Sequence, residues 1–212
     1  EQIVELTTTA TTTSNVGVYD ITGTVKNNNY TVTYTNANDK GTYTITKADP
    51  VCSIPELPAT YGETLADVAL PTRADGTYTW EDVSTTSVGN AGKHTFKVTF
   101  TPNDTTNYNT LTNVDAIVNV AKAIPTYTVP TGLEGYEGQP LSSIDITSNT
   151  GFSWTDATTT MPLIKDNGET FNTTMTYTPA DTDNFETVEN ISVQVKVKEN
   201  EKAEKEILEA IL

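Results

Sequence analysis

The amino-acid sequence predicts an all-β protein, and three observations support this fold class. Threonine accounts for 44 of the 212 residues, and Thr, Val, Tyr and Ile dominate the periodic stretches, as is typical of pleated, half-buried strands. Residues 30–35 and 42–48 alternate apolar and polar side chains on either side of an Asn/Asp/Gly turn, a pattern that indicates a β-hairpin. The helix formers Ala and Leu are scarce before the C-terminal tail.

An internal repeat organises the chain. The stretch TFTPNDTTNYNT at residues 99–110 recurs as TYTPADTDNFET at residues 176–187. Further landmarks recur 74 to 77 residues apart: Leu65 and Leu141, Trp80 and Trp154, Pro102 and Pro179, and Tyr108 and Phe185. This spacing predicts tandem copies of one module, with each tryptophan in a core. The shared Thr-Pro, the acidic or Asn turn and the aromatic residue predict an element that ends a strand and pins a loop to the core.

Proline-bearing junctions divide the chain into predicted parts, because residues 47–50 (KADP) resemble residues 122–125 (KAIP) and proline interrupts a sheet. We expect the second half of a repeat at residues 1–48 (the first segment) and complete repeats at residues 49–123 (the second segment) and 124–198 (the third segment). The partial repeat is expected either to pack on the next repeat or to borrow strands from another chain, since bare strand edges are a liability.

The tail at residues 199–212 differs in composition from the rest of the chain. Its apolar residues fall at helical spacing, and Glu201 lies four residues before Lys205, which supports a helix. We expect a short linker or surface helix, or alternatively the start of a coiled coil or a following domain.

Charge and composition exclude several functions. The formal net charge is −16 and the pI is about 4.2, so binding to nucleic acid through phosphate contacts is not expected. No stretch approaches the length of about 18 apolar residues that a membrane span needs, so this fragment is not expected to insert into a membrane. The chain begins at Glu1 rather than Met, as expected of a mature or excised fragment.

No catalytic or cofactor-binding residue stands out, and we predict a protein that is not an enzyme. Cys52 is the one cysteine and His94 the one histidine, and each fits a strand better than a nucleophile–base pair. The acidic residues that follow the two tryptophans occupy related places in both copies, which indicates a shared structural role.

Calcium is the only metal that the acidic turns suggest, with Asp104, Asp181 and Asp183 as weak candidate ligands. Oxygen ligands at alternate positions suit a hard cation. Asp and Asn also favour turns without any metal, because they bond their own backbone. We therefore predict no bound metal, with Ca²⁺ as the alternative.

The residues resemble a known family. VGVYDIT (residues 16–22), NNNYTVTY (27–34) and TYTITKA (42–48) look like the latter half of an MBG-type ("mostly β, glycine") repeat. The later segments resemble related repeats of large secreted bacterial proteins, although the third is more diverged and has KDNGE where the second has VGNAG. The resemblance implies tandem all-β modules, Ig-like or otherwise, in adhesin-like or cell-wall-associated proteins located outside the cell.

We expect two complete Ig-like β-sandwich modules of about six to seven short strands each, preceded by a partial one. A β-grasp-like fold is the alternative, favoured if residues 65–70 are helical. The expected function is a non-catalytic spacer of a bacterial cell-surface or secreted protein, whose partners are neighbouring repeats of its own chain. The alternatives are an adhesive module that binds glycan or a host or matrix protein, and an accessory region of a secreted hydrolase.

Overall fold

The structure, a computed structural model, describes residues 4–26, 29–31 and 41–200. Within these ranges nearly all regular structure is β, with eleven strands and one turn of 3-10 helix. The predicted all-β fold class is confirmed. The strands are β1 Val4–Thr8, β2 Gly17–Val25, β3 Thr42–Ile45, β4 Leu57–Thr60, β5 Gly76–Trp80, β6 Gly92–Pro102, β7 Leu111–Ala121, β8 Leu133–Tyr136, β9 Phe152–Trp154, β10 Thr170–Tyr177 and β11 Val188–Lys198, and the 3-10 turn is Leu141–Ser143.

The first segment forms a three-stranded sheet in the order β1-β2-β3. Both neighbouring pairs are antiparallel, with Val4 opposite Val25 and Gly17 opposite Ile45. The predicted hairpin between residues 30–35 and 42–48 lies largely outside the described residues. Its second half is present as β3, which pairs with β2.

The third segment forms a four-stranded mixed sheet in the order β8-β11-β10-β9. The pair β8–β11 is parallel, whereas β10 is antiparallel to both of its neighbours. Alternate residues of β11 are buried, because its apolar side chains face the non-strand residues that cover one side of this sheet. The core consists of Leu133, Leu141, Ile144, Trp154, Met161, Met175, Val193, Val195 and Val197.

The second segment has the same strand order, first-last-third-second, as β4-β7-β6-β5. Its β6 is antiparallel to β5, and Val98 and Phe100 of β6 are fully buried. The two last strands also share a backbone irregularity, since Asn113 and Asn190 have φ of 59° and 57°. Asn tolerates this left-handed conformation better than most residues.

The described residues contain four strands in each of these two segments. The segment between the first and second strands is irregular rather than sheet, with turns at residues 65–67 and the 3-10 turn at Leu141–Ser143. Pro71 and Pro140 lie in these connections, where each removes a backbone donor that a further strand would need. The condition set for the β-grasp-like alternative, a helix at residues 65–70, is not met.

The two tryptophans differ in burial. Trp154 is 8% exposed and belongs to the core, which confirms its predicted place. Trp80 is only half-buried and packs edge-on against Phe96, with 6.1 Å between the ring centroids. The prediction of a core residue is therefore right for Trp154 and only partly right for Trp80.

Contacts divide the chain into two compact units. The first takes in the described parts of residues 1–57, 64–86 and 93–118, and the second those of residues 58–63, 87–92 and 119–212. The predicted C-terminal helix lies outside the described residues, which end at Asn200. Among the residues that the structure describes, no helix has the length and hydropathy of a membrane span.

Candidate functional site: two matching clasps

The recurrent stretch forms the most distinctive local structure in the chain. Its centre is a five-residue motif, Asp-Thr-x-Asn-aromatic, which we call the clasp: Asp104–Tyr108 after β6 and Asp181–Phe185 after β10. Equivalent clasp residues lie 77 positions apart. Each clasp contains an aspartate, which orders the loop, and an asparagine, which bonds outside it.

In the first clasp the carboxylate of Asp104 organises the turn. Its Oδ1 accepts the backbone N–H groups of Thr106 and Asn107, each at 3.1 Å, and its Oδ2 accepts the side-chain amide of Asn107 at 2.7 Å. The Asp104 carbonyl accepts the N–H of Tyr108 at 3.1 Å. Such bonds from a short Asx side chain to its own loop are the ordinary reason for Asp in turns.

The second clasp repeats this geometry. Asp181 Oδ1 accepts the N–H of Asn184 at 3.2 Å, Oδ2 accepts the Asn184 side-chain amide at 2.9 Å, and the Asp181 carbonyl accepts the N–H of Phe185 at 3.1 Å. Both asparagines are therefore held with their side-chain oxygen pointing away from the carboxylate.

The first clasp bonds residues of the first segment. Asn107 Oδ1 accepts the N–H of Val16 at 2.8 Å, and the Asn107 carbonyl accepts the N–H of Ala48 at 2.9 Å. The Ala48 carbonyl accepts the N–H of Asn109 at 2.9 Å, and Lys47 Nζ donates to the carbonyl of Thr105 at 2.7 Å. A short parallel β-bridge joins Ala48 to Tyr108. We call this set of contacts the first joint.

The second clasp makes the same four bonds to the second segment, and these form the second joint. Asn184 Oδ1 accepts the N–H of Ala91 at 2.9 Å, and the Asn184 carbonyl accepts the N–H of Ala123 at 2.9 Å. The other two bonds run from the N–H of Glu186 to the Ala123 carbonyl at 2.9 Å and from Lys122 Nζ to the Thr182 carbonyl at 2.6 Å. Each joint lies wholly within one compact unit.

The two joints differ in how far they are buried. Asn184 is 6% exposed, and Phe185 beside it packs edge-on against Tyr61, with 5.2 Å between the ring centroids. In the first joint Tyr108 is 43% exposed. The hydrogen bonds of the second joint are therefore better shielded from water than those of the first.

Hydrogen bonding also determines the electrostatics of the first clasp. The side-chain amide of Asn107, followed by backbone N–H groups of the clasp, lowers the pKa of Asp104 below its ordinary value of 3.8, and the positive charge of Lys47 adds to the effect. The carboxylate is therefore charged wherever the protein is near neutral pH, and its bonds to the loop are charge-assisted.

The candidate calcium ligands do not meet. The carboxylates of Asp104 and Asp181 are occupied by the hydrogen bonds of their own clasps, and Asp183 is exposed. Among the described residues, no group of three or more His, Cys, Asp or Glu side chains is arranged to hold a metal. Cys52 is a free, half-buried thiol.

Two acidic residues that follow the tryptophans, Glu81 and Asp156, accept hydrogen bonds. Glu81 Oε1 accepts the Thr99 hydroxyl at 2.9 Å and the N–H of Asn113 at 2.6 Å, next to the irregularity of β7. Asp156 instead accepts the N–H and hydroxyl of Thr158, which lowers the pKa of Asp156. Asp156 corresponds in the repeat to Asp82 rather than to Glu81, so the expected shared role stays a prediction.

A groove of about 580 Å³ lies beside the first clasp. Its walls include Tyr108, Val51 and Arg73. Arg73 forms two bonds to Asp75, from Nε to Oδ1 at 2.7 Å and from Nη2 to Oδ2 at 2.5 Å, and its guanidinium carbon lies 4.8 Å from the centre of the Phe100 ring. The groove therefore offers one exposed aromatic ring beside a fixed ion pair.

The sequence pointed to the clasp but not to what it binds. We expected it to pin a loop to its own core, whereas its asparagine bonds the preceding segment. The donors are the backbone N–H groups of Val16, Ala48, Ala91 and Ala123. The side chains at these positions therefore do not indicate that a hydrogen bond is made there. A signal was present in their spacing, because Val16 and Ala91, like Ala48 and Ala123, lie 75 residues apart.

Comparisons of the chain with protein-family models, with curated proteins and with solved structures gave no significant match.

Proposed function

We propose that this chain is a non-catalytic spacer region of a bacterial cell-surface or secreted protein, built from repeats that are fastened in series. The observation that carries the proposal is the repetition of the same four hydrogen bonds at both joints. A spacer has to hold successive modules in a fixed relation, and this requires the same fastening at each junction.

The strength of a joint can be bounded from its bonds. A net contribution of about 0.5–1.5 kcal/mol per intramolecular hydrogen bond puts the four bonds of one joint at roughly 2–6 kcal/mol. An opening free energy of this size would leave an open joint rarely populated. In arrays whose repeats contact only their neighbours, stability is a sum of repeat and nearest-neighbour terms, so fastened joints would stabilise the repeats themselves.

The location outside the cell rests on the resemblance to MBG-type repeats, and the absence of a catalytic role is part of the same proposal. The carboxylates of Asp104, Asp156 and Asp181 each accept hydrogen bonds from their own turn. A catalytic acid or base would instead have a free edge facing a cleft.

Within this proposal the second and third segments are tandem modules of one fold. Their sheets, with a parallel pair in the third segment and non-strand residues that cover one face, differ from an Ig-like sandwich, and the β-grasp-like alternative lacks the helix at residues 65–70 that would favour it. Two facing sheets would be expected of an Ig-like module.

The test of the joint is a distance distribution measured across it. Spin labels at T24C and T77C, on exposed positions of β2 and β5, would be placed in a C52S background. A fastened joint predicts one narrow distribution, which should broaden when Asn107→Ala removes the bond to Val16. An equally broad distribution in the parent protein would refute the proposal.

Asn103→Ala is the matched control for this experiment. Asn103 lies in the same loop and its side chain donates to the carbonyl of Ala74 at 2.9 Å, so its bond stays within the second segment. The control should keep the narrow distribution. Broadening in both variants would mean that loop integrity, rather than the joint, determines the result.

An adhesive module is the second candidate, favoured by the groove beside Tyr108. An exposed ring next to polar groups is a common arrangement for stacking a sugar. Saturable binding on a glycan array that Tyr108→Ala abolishes and Tyr30→Ala retains would support it, because Tyr30 is an exposed tyrosine away from the groove. If no glycan binds above background, the adhesive function is contradicted and the spacer function remains as the only proposal.

A further inference from the structure

The second and third segments can be compared at the edge where the next clasp binds. In the second segment this receiving edge consists of Tyr61, Ala91, Lys122 and Ala123, which contact the second clasp. The third segment has a structurally equivalent edge. The N–H of Tyr61 donates to the carbonyl of Ala121, and the N–H of Glu137 donates in the same way to the carbonyl of Lys198, at 2.9 and 3.0 Å.

These bonds and the strand register define the equivalent residues. The shared irregularity at Asn113 and Asn190 sets an offset of 77 in the last strand, so Glu199 replaces Lys122 and Asn200 replaces Ala123. The same offset holds in the third strand, where Val98 faces Trp80 and Met175 faces Trp154. The equivalents of Tyr61 and Ala91 are therefore Glu137 and Gly168.

The first difference is a reversal of charge. Lys122 donates to a backbone carbonyl of the clasp at 2.6 Å, whereas Glu199 at the equivalent position can only accept when it is ionised. An incoming clasp would bring its carbonyl, and the carboxylate of its aspartate, towards a second negative charge. Like charges at such a contact repel.

The second difference concerns the aromatic contact. Tyr61 packs against the ring of the clasp, whereas Glu137 turns back into its own segment. Its Oε2 accepts the N–H of Ile164 at 3.0 Å and its Oε1 accepts the N–H of Asn200 at 3.4 Å. The N–H of Asn200 is the counterpart of the Ala123 donor that binds a clasp, so the third segment uses this donor internally.

The third difference concerns the remaining donor. The N–H of Ala91 binds the clasp asparagine, but the N–H of Gly168 donates to the carbonyl of Val197 at 2.8 Å. Gly168 has φ of 94°, a left-handed conformation that Gly adopts readily. Both backbone donors that a clasp would need are thus occupied within the third segment.

We propose that the third segment is a capping repeat, whose receiving edge is closed by its own residues and rejects a clasp. The inference rests on the proposed joints and concerns which partner this edge accepts, whatever segment follows Asn200. Repeat arrays need terminal repeats with a polar outer face for solubility. Glu137 and Glu199 supply that face here, where the second segment has a tyrosine and a lysine.

The test extends the chain by one clasp. Residues 1–200 would be followed directly by a second copy of residues 124–200, which carries its own Asp-Thr-Asp-Asn-Phe clasp. Amide hydrogen exchange is then measured at Ala91, Gly168 and Asn200, with and without the extension. We expect the added copy to change exchange at Gly168 and Asn200 by less than about 2-fold, because no joint forms. A joint of the strength bounded above would slow exchange by about 30-fold or more, and any slowing beyond about 2-fold would overturn the proposal.

Reopening the edge is the second arm. The triple variant E137Y/E199K/N200A restores three of the four residues of the receiving edge and leaves Gly168 unchanged. Three of the four joint bonds can then form, and the extension should slow exchange at position 200 by about 10-fold. Because Glu137 also binds the N–H of Ile164, the pair E199K/N200A, which keeps Glu137, serves as the variant least able to disturb folding and should show smaller slowing. No slowing in either variant would overturn the assignment of these residues.

Ala91 separates this proposal from the proposed function. Its amide belongs to the second joint in every variant and should remain protected throughout. If Ala91 exchanges freely, the joint itself fails; if Ala91 is protected while the unmodified extension also protects Gly168 and Asn200, only the cap fails.

Discussion

Replacing Asn184 with alanine tests the reasoning most directly, because this side chain is the most enclosed part of either joint. Its oxygen accepts the N–H of Ala91 and its amide donates to Asp181, both at 2.9 Å, and the residue is 6% exposed. Asn184→Ala removes both bonds at once. It also leaves the N–H of Ala91 without the acceptor it has in the folded chain.

The expected cost follows from these two losses. An intramolecular hydrogen bond contributes about 1 kcal/mol net, and a buried donor left without a partner costs about 1–3 kcal/mol. Asn184→Ala should therefore lower the free energy of unfolding by about 2–4 kcal/mol. Asn107→Ala should cost less, about 1 kcal/mol, because Asn107 is only half-buried and water can replace part of what is lost.

Urea unfolding followed by the fluorescence of Trp154 is a suitable assay, because Trp154 lies in the same compact unit as Asn184. A Trp80→Phe background removes the other tryptophan. Asn172→Ala is the control, since Asn172 is an exposed asparagine of β10 with a single side-chain bond, to Gln194 at 3.3 Å. Losses of stability for Asn184→Ala and Asn172→Ala that agree within about 0.5 kcal/mol would contradict the role of Asn184 in the second joint.

Three further predictions concern other parts of the chain. The pKa of Asp104 is lowered below its ordinary value of 3.8, so its contribution is present above that value and is lost as the pH falls through the lowered pKa. The difference in melting temperature between the parent and Asp104→Ala should therefore shrink as the pH is lowered below 3.8. Gly76→Ala should destabilise by about 1–3 kcal/mol in urea unfolding, because a Cβ there would lie 2.5 Å from the carbonyl oxygen of Thr101. Gly17→Ala, with its nearest neighbour at 3.5 Å, should change stability by no more than about 0.5 kcal/mol. Val195→Ala, at a fully buried position, should cost about 2 kcal/mol by the same measurement, and an unchanged midpoint would contradict the assigned core.

Strands could be predicted where one face of a sheet is more buried than the other, because apolar and polar side chains then alternate along the sequence. The alternating pattern at residues 42–48 predicted a strand, and β3 occupies Thr42–Ile45 of that stretch. In β11 alternate residues are buried. Alternation is a local property, so the sequence carries it without reference to the partner strand.

The pairing of the strands could not be predicted in the same way. The parallel pair β8–β11 joins Leu133 to Val195, and nothing local to either strand specifies the other. The count of six to seven strands for each module was too high for the same reason. Leu141 lies in the irregular segment between β8 and β9, and Met161 lies in the connection between β9 and β10. Both are buried in the core, so composition alone does not distinguish them from strand residues.

The clasp could be predicted from the sequence, but the residues that it bonds could not. Recurrence marked the clasp, because its side chains do the bonding and therefore repeat in the sequence. The partners contribute mainly backbone N–H groups, so the residues that carry them are free to vary, as Val16 and Ala91 do. The lysines at positions 47 and 122 are the part of the receiving edge that bonds a clasp through a side chain. From the sequence alone they indicate only a boundary between repeats.

The clasp also explains why an acidic chain keeps a neutral amide at this position. Asn184 must donate to the carboxylate of Asp181 and accept the N–H of Ala91 with the same short side chain. An aspartate there could accept but not donate, and it would place a second negative charge beside Asp181, where like charges disfavour ionisation. A glutamine has both groups but one more methylene, and its longer side chain would have to be ordered at a further cost in entropy. The Asp and the Asn of the motif are therefore not interchangeable. The motif Asp-Thr-x-Asn-aromatic recurs in a chain of net charge −16 because it needs one charged acceptor, the aspartate, and one amide that both donates and accepts, the asparagine.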